Sequence, residues 1–304
     1  MINSNYSPKI SVIVVTHNSE AFIQKCISGL ERDLDNGFIE LIIVDSKSDN
    51  SSYLDKFEKR LGVTLIRLEN NVGFSNGNNV GVANINQKSK YILFLNPDAF
   101  VNDSLLNNVY QKMESKEFQD VAICSPILLG YSAALSRPTG LVDSAGIRKT
   151  WYGRYYDFYK GKKDNDLLQL GISEFESLIC GAFMFCRRQA LLKRIKKSSI
   201  WDEDFFMYKE DIELSLYLKS MGWRLIIIPE YYAYHCRGWS KKRLSVSELS
   251  IRESLKSDWI LYKKSKGNIN FKYIDFSYLI LKTFVVVAEI IYRRTKNKIL
   301  GDKF

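Results

Sequence analysis

The 304-residue sequence predicts an α/β fold with a doubly wound sheet that carries helices on both faces, followed by a C-terminal helical extension. The first observation is that short apolar runs rich in β-branched residues alternate with helix-period segments from the first strand signal to residue 95. The second is that residues 245–304 show helix-period patterns and no strand signal. We therefore expect one α/β domain over residues 1–244 and a helical tail over residues 245–304.

The first strand and helix show the pattern that repeats along this half. Residues 10–16 (ISVIVVT) form an apolar, β-branched run typical of a strand buried on both faces. Ser19 is an N-cap residue type, and Gly37 lies just past the helix-period segment that follows. Further strands are predicted at 40–45, 63–68 and 91–95, with helices at 53–60, 75–85 and from Asp103. In such sheets ligands bind beyond the carboxyl ends of the strands.

The second half of the chain is less regular. The strand and helix rhythm breaks down from residue 125, and residues 130–166 mix turn residues with an aromatic stretch at 151–159. The rhythm then resumes, so we expect the domain to end near residue 240. The elements predicted there are strands at 178–186 and 224–228, helices at 188–195 and 211–221, and tail helices at 245–264 and 271–298.

Lysine and arginine outnumber the acidic residues by 44 to 34, which gives a net charge of +10 and a pI near 9.2. This excess favours a polyanionic partner, and composition alone leaves nucleic acid, an acidic membrane surface and a phosphate-bearing substrate open. The five cysteines are scattered without close pairs, which argues against a disulfide framework or a zinc module and favours a reducing compartment. Residues 1–9 carry no signal-peptide pattern, so we expect a cytoplasmic protein.

Two nucleotide-binding classes are excluded, because neither GxGxxG nor GxxxxGK[ST] occurs in the sequence. The glycine cluster that does occur, GFSNGNNVG at 73–81, follows the third predicted strand. Its glycines permit close backbone approach to a ligand, and its asparagines offer donors and acceptors to a sugar or a base. An ordinary turn from loop to helix has the same composition.

Three further positions could carry chemistry. Asp98, in the NPD sequence that ends the fourth strand, suits a hard divalent cation bridging two phosphates, with an Asx-type turn as the alternative. Glu210 and Asp211 precede an amphipathic run, where a partly desolvated carboxylate suits a general base and where acids also complement the helix dipole. His235 follows a strand end, either as a structural residue or as a ligand.

The last helical segment carries Asp275, Lys282 and Glu289 seven residues apart, so that the three charges fall on one stripe and apolar residues cover the rest. A basic cluster at 293–298 follows. Three charges argue against a membrane span, and the pattern over 271–298 favours a helix lying in an anionic membrane surface. A helix packed on its own domain or on a second subunit would show the same pattern.

Taken together, the motifs resemble those of glycosyltransferase family 2, and within it the rhamnosyltransferase-like branch. In chain order they are THN at 16–18, Asp45 at a strand end, the glycine loop at 73–81, NPD at 96–98, CGAFMFCRR at 180–188, FFMYKED at 205–211 and HCRGWS at 235–240. The resemblance covers residues 8–240 and implies the GT-A fold, a Rossmann-like mixed sheet flanked by helices. It also implies an inverting enzyme that binds a nucleotide sugar through residues 8–100 and the acceptor through residues 125–240.

The resemblance implies roles for individual residues. Those implied to bind the nucleotide sugar are Thr16, His17, Asn18, Asp45, Gly73, Phe74, Asn79 and Asn96. Asp98 and His235 would bind a divalent metal, Mg²⁺ or Mn²⁺, on the diphosphate, and Asp211 would be the catalytic base. Asn96 departs from the family pattern, since it stands where the first acid of a DxD-type motif is expected and leaves the metal one fewer charged ligand. The second acid after Asp45 is shifted by one position, and His17 replaces a more usual tyrosine.

The expected partners follow from the same resemblance. They are a dTDP- or UDP-linked donor and a glycan or polyprenyl-linked acceptor in cell-surface polysaccharide synthesis, with no nucleic acid. An inactive relative that serves as a binding or scaffold subunit is one alternative. A nucleotidyltransferase is another, although that class normally has a glycine-rich loop with a basic residue after its first strand, where this chain has HNSE at 17–20.

Overall fold

The computed structural model describes residues 7–165, 173–195, 199–236, 246–264 and 269–301. The strands are β1 (Ile10–Thr16), β2 (Ile39–Asp45), β3 (Val63–Arg67), β4 (Tyr91–Leu95), β5 (Ala99–Phe100), β6 (Val121–Ser132), β7 (Arg137–Ser144), β8 (Ile147–Lys149), β9 (Tyr155–Asp157), β10 (Phe175–Glu176), β11 (Phe183–Arg187) and β12 (Arg224–His235). The helices are α1 (Glu20–Ser28), α2 (Glu31–Asp35), α3 (Asp55–Glu58), α4 (Gly73–Ala83), α5 (Leu105–Glu114), α6 (Arg188–Ile195), α7 (Glu210–Ser220), α8 (Glu248–Lys264) and α9 (Ile269–Gly301).

The main sheet has the strand order β10-β12-β6-β11-β4-β1-β2-β3. β1 pairs in parallel with β2 and with β4, and β2 pairs in parallel with β3. β11 lies antiparallel between β4 and β6, and β6 runs parallel to β12. The sheet is therefore mixed, and the carboxyl ends of β1, β2 and β4 lie at one edge, as predicted.

The alternating residues of β1 show how the sheet is buried on both faces. Val12 and Val14 belong to the hydrophobic cluster on one face, and Ile13 and Val15 belong to the cluster on the other. Burial of such a side chain stabilises the fold by about 1.5–3 kcal/mol. The β-branched run in the sequence thus corresponds to a central strand with two apolar faces.

The alternation of strands and helices breaks down from residue 125 as predicted, since strands follow one another from β6 to β11 in the described residues. The strand β6 itself was not predicted, although it is buried along almost its whole length. Pro126 and Gly130 lie inside β6 and weaken its strand pattern. β12 was predicted to end at residue 228 and instead continues to His235, after a bulge between Ile228 and Tyr232 that contains Pro229. A proline has no amide hydrogen for the ladder, so the pairing is interrupted there and then resumes.

Two other elements differ in length. The predicted strand at 178–186 is confined to β11, because the chain turns at Cys180, whose carbonyl accepts from Phe183 N at 3.4 Å. The predicted helix at 53–60 is a 3₁₀ turn, Ser52–Leu54, followed by the four-residue α3.

The tail helices α8 and α9 form an antiparallel pair against the domain. Arg294 pairs with Glu248, while Lys282 pairs with Asp258 in the middle of both helices. Asp275 of α9 forms an ion pair with Lys149 of β8 at 2.5 Å. Among the described residues, we find no helix long and apolar enough to cross a membrane.

Candidate active site

A cavity of about 450 Å³ lies where β4 ends. Five predicted site residues line it, namely Phe74, Asn96, Asp98, Asp211 and His235. Its other walls are Ile147, Tyr155, Tyr156, Asp157, Cys180, Gly181, Ala182, Met207, Tyr208, Lys209, Glu210 and Ile212. The fold therefore brings the predicted base and the predicted metal ligands to one cavity, although 113 positions separate Asp98 from Asp211.

The imidazole of His235 lies between two carboxylates. Its Nδ1 lies 2.8 Å from Asp143 Oδ2, and its Nε2 lies 3.3 Å from Asp98 Oδ1. Asp143 is fully buried at the end of β7, and Lys160 Nζ lies 3.7 Å from its other oxygen. Because the Asp143 carboxylate accepts, Nδ1 donates to it, and this fixes the ring with Nε2 directed at Asp98.

The charges around His235 also set its proton affinity. Burial lowers the pKa of His235, but the charges of Asp98 and Asp143 and the hydrogen bonds to both outweigh burial and raise the pKa to about 9. The pair of carboxylates therefore favours a positive charge at this point, whether a proton or a cation supplies it.

The same residues fit a divalent cation. Asp98 offers carboxylate oxygen and His235 offers imidazole nitrogen, while Asp143 holds the far side of the ring as a supporting carboxylate does in many metal sites. Within the described ranges no group of three His, Cys, Asp or Glu side chains is arranged to hold a metal ion. Two protein ligands suit Mg²⁺, which is usually held by one or two carboxylates together with substrate phosphates and water.

Asn96 lies beside this pair with its main chain held in the sheet. Its backbone N–H donates to Ala182 O at 3.1 Å. Its side-chain Oδ1 is buried and has no hydrogen-bond partner among the described residues. A buried acceptor without a partner is costly, so this oxygen is suited to a donor group of a ligand.

Asp211 lies at the start of α7, and two backbone amides orient its carboxylate. Gly181 N donates to Oδ2 and Ile212 N donates to Oδ1, both at 2.8 Å. Just before the helix, Tyr208 and Lys209 adopt left-handed backbone angles, with φ of 70° and 68°. Each such non-glycine residue costs about 1 kcal/mol or more, and strain of this kind concentrates at functional sites.

Glu210, the neighbour of Asp211, is buried in the cavity wall with Oε2 lacking a hydrogen-bond partner in the described part of the chain. Desolvation, with a smaller contribution from the charge of Asp211, raises the pKa of Glu210 to about 8. Burial at this position therefore favours the neutral form of the Glu210 carboxyl.

The predicted residues of the first two loops lie together at the ends of β1 and β2, outside the lining of the cavity. His17 Nδ1 lies 3.0 Å from Ser46 O, and Asn18 N donates to Ser48 Oγ at 2.8 Å. Ser48 Oγ also donates to Asp45 Oδ1 at 2.6 Å. The Thr16 hydroxyl lies 3.0 Å from the hydroxyl of Tyr53. His17 and Asn18 are exposed, and the nucleotide-binding roles of these four residues stay predictions.

Gly73 and Asn79 connect the glycine loop to the segment that precedes Asp211. A Cβ on Gly73, where φ is +78°, would lie 2.3 Å from Phe206 O, and Phe74 N donates to that same oxygen at 2.8 Å. Asn79 donates to Trp201 O and accepts from Trp201 N, both at 2.9 Å. These contacts give both residues a structural role, and their contact with a sugar stays a prediction.

Several residues of the site had no motif to reveal them. Asp143 comes 92 positions before His235, and its role depends on the pairing of distant strands. Tyr155 and Tyr156 lie in the aromatic stretch that the sequence singles out, but composition assigns it no role. Gly181 lies inside the CGAF motif, and its amide contact with Asp211 requires the fold.

Known proteins share both the sequence pattern and the architecture. The sequence model of Glycosyl transferase family 2 matches residues 11–193. The chain is 28% identical over 240 residues to the rhamnosyltransferase WbbL of Escherichia coli (strain K12), an alignment that covers 74% of this chain and 83% of WbbL.

Two solved structures have similar folds. The mannosyltransferase PcManGT from Pyrobaculum calidifontis, in complex with GDP-Man and Mn²⁺, matches with a TM-score of 0.57 and 16% identity, over 96% of this chain and 77% of that one. TarS 1–349 of S. aureus, in complex with UDP-GlcNAc, matches with a TM-score of 0.54 and 16% identity, over 91% of this chain and 73% of that one. The predicted GT-A fold is confirmed.

Proposed function

Because this chain belongs to glycosyltransferase family 2, we propose that it moves a sugar, rhamnose or another hexose, from a dTDP- or UDP-linked donor to a hydroxyl of a glycan or polyprenyl-linked acceptor. The observation that carries the proposal is that Asp211 and the pair of Asp98 and His235 line one cavity. A proton acceptor and a charge-compensating pair are the two groups that such a displacement requires.

The proposed reaction is a single displacement with inversion at the anomeric carbon. A sugar hydroxyl is a poor nucleophile near pH 7, so the Asp211 carboxylate takes its proton as the hydroxyl oxygen attacks. The new bond forms on the face opposite the nucleoside diphosphate, and the bond between sugar and phosphate breaks. The two amides that hold Asp211 keep the carboxylate in place before the acceptor arrives.

Departure of the diphosphate concentrates negative charge on the leaving group. When bound, a divalent cation on Asp98 and His235 supplies positive charge that stabilises it. Asp143 keeps the His235 ring oriented, and Asn96, whose buried Oδ1 has no partner among the described residues, lines the same cavity. The Mn²⁺ in the PcManGT structure supports the choice of cation.

The donor and setting are proposed from the relatives and from the chain itself. The similarity to WbbL supports rhamnose, and the UDP-GlcNAc complex of TarS supports a pyrimidine nucleotide. All five cysteines are free and buried, in keeping with a cytoplasmic enzyme. A polyprenyl-linked acceptor in surface polysaccharide synthesis would bring the enzyme to a membrane, as the pattern over 271–298 predicts.

The proposal is tested by measuring the melting temperature of the protein with a panel of nucleotide sugars, with and without Mg²⁺ or Mn²⁺. We expect a dTDP- or UDP-sugar to raise the melting temperature, because a ligand that binds only the native state stabilises it. Asp98→Ala and His235→Ala should each remove the part of this rise in melting temperature that depends on the cation. The double variant should show little further loss, because both residues act through the same cation. If no nucleotide sugar binds, the proposal is wrong. If EDTA leaves donor affinity unchanged, the metal role is wrong.

An assay of sugar transfer separates the enzyme from an inactive relative. Donor binding without transfer to any acceptor hydroxyl and without hydrolysis would favour a binding subunit.

A further inference from the structure

A strip of exposed apolar side chains runs along one side of α9. We call it the apolar strip, and its members are Tyr273, Ile274, Phe276, Ile280, Leu281, Phe284, Val285, Val287, Ile291 and Tyr292. Tyr273 and Phe284 are 70% and 71% exposed. Their spacing of three and four residues places them on one side of the helix over about 28 Å. Contiguous apolar surfaces of this extent mark interaction sites in soluble proteins.

The charged side chains of the same span face the opposite way. Asp275 pairs with Lys149 of β8, Lys282 pairs with Asp258 of α8, and Glu289 pairs with Arg293. All three are less than one-third exposed. The stripe predicted from the sequence is therefore the inner face of α9, and no charged residue interrupts the apolar strip between Tyr273 and Tyr292.

The charge next to the strip identifies what it contacts. Arg294, which pairs with Glu248, and Lys296 are exposed at its C-terminal end, and the whole chain carries a net charge of +10. A second copy of the chain would bring the same positive charge to the contact, whereas an anionic lipid surface complements it. Tyrosines stand at both ends of the strip, as is common where a helix meets the polar boundary of a membrane.

The inner face of α9, opposite the strip, shares a wall with the active-site cavity. Tyr155 of β9 lines the cavity and also borders the small cleft between the domain and α9, which Asp275 and Tyr278 line as well. Gly153, two residues before Tyr155, contacts Asp275 so closely that a Cβ would lie 2.5 Å from its carboxylate oxygen. The position of α9 is thus fixed relative to the acceptor side of the cavity.

We propose that α9 lies in the plane of an anionic membrane surface with the apolar strip inserted, and that this holds the cavity next to acceptors carried on a lipid. The first part stands on the strip alone, whereas the second rests on the proposed function.

Sedimentation with vesicles tests the proposal on the full chain. We expect binding to vesicles of phosphatidylcholine with phosphatidylglycerol, weaker binding to phosphatidylcholine alone, and weaker binding at high salt. Phe284→Glu should lower the partition coefficient by at least about tenfold, because it places a charge in the strip. Leu61→Glu is the matched control, since Leu61 is 77% exposed in the turn before β3, outside the strip, and should bind as wild type does.

Three results would overturn the inference. They are wild-type protein that stays in the supernatant, a Phe284→Glu variant that binds as wild type does, and light scattering that shows Phe284→Glu converting a dimer into a monomer. Donor binding measured without vesicles is a separate readout, and Phe284→Glu should keep it. If the protein binds vesicles but binds no nucleotide sugar, the donor proposal fails while the membrane contact stands.

Discussion

The variant Asp211→Asn tests the proposed base, and its cost can be worked out from two hydrogen bonds. Both carboxylate oxygens accept from backbone N–H groups, Gly181 at Oδ2 and Ile212 at Oδ1. An asparagine offers one acceptor, so one N–H loses its partner at a cost of about 1–3 kcal/mol. In a domain of this size that lowers the melting temperature by about 2–12 °C.

The effect on transfer should be larger than the effect on folding. Loss of a general base costs about 10²- to 10⁴-fold in rate, which corresponds to about 3–5 kcal/mol of barrier. Turnover is measured at saturating donor and acceptor, below the melting temperature of the variant, and donor affinity is measured separately by titration. Donor affinity should stay close to wild type, since the predicted nucleotide contacts lie between residues 16 and 98.

Glu203→Gln is the matched control, because it also replaces a carboxylate by an amide, on an exposed side chain of the segment leading to α7. It should alter neither turnover nor donor affinity. An Asp211→Asn enzyme that keeps more than about a tenth of wild-type turnover would refute the assignment of Asp211 as the base.

Three more predictions concern residues around Asp211 and His235. In Gly181→Ala the new Cβ would lie 3.3 Å from Asp211 Cβ, so the Asp211 carboxylate should shift. Turnover should then fall about tenfold while donor affinity stays unchanged. A variant with wild-type turnover would contradict this prediction. Asp143→Asn should weaken Mn²⁺ binding in the presence of nucleotide by about 10- to 100-fold, measured by titration of the metal, and an unchanged Mn²⁺ affinity would show that Asp143 does not support the site. The pKa of Glu210 is raised from 4.5 to about 8, so the stability this residue contributes is complete below pH 4.5 and is lost as the pH rises through 8. The melting temperature of Glu210→Gln should therefore exceed that of wild type by a margin that grows across this range, and a margin independent of pH would argue against a buried neutral carboxyl.

The first half of the fold was predictable because its elements are short and locally determined. β1, β2, β4 and α4 have the apolar period that their burial requires, and their positions were predicted closely. β6 and the far end of β12 were not predictable, because Pro126, Gly130 and Pro229 interrupt the period that a strand should show. Pairing with neighbouring strands compensates for these interruptions, and local patterns carry no record of that pairing.

The site was predictable to a different extent. Asp98, Asp211 and His235 were predicted from motifs that stand at the ends of elements, and the structure places all three around one cavity, while their roles stay predictions. Asp143 received no role from the sequence, and Glu210 was named only beside Asp211 as a candidate carboxylate, because a supporting contact and a raised pKa arise from burial and from partners distant in the chain. The nucleotide roles of Thr16, His17, Asn18 and Asp45 stay predictions.

The contact of α8 with the segment that leads to Asp211 has a consequence for shortened versions of this protein. Ser257 Oγ donates to Met207 O at 2.9 Å, and Lys264 pairs with Asp202 and Asp204. A chain cut at residue 244 would lose all of these contacts, and the segment from 202 to 211 would keep those of Phe206 with Phe74 and of Asp211 with Gly181. Local opening of that segment would then cost less free energy, and amide hydrogen exchange at the start of α7 should be faster than in the full chain.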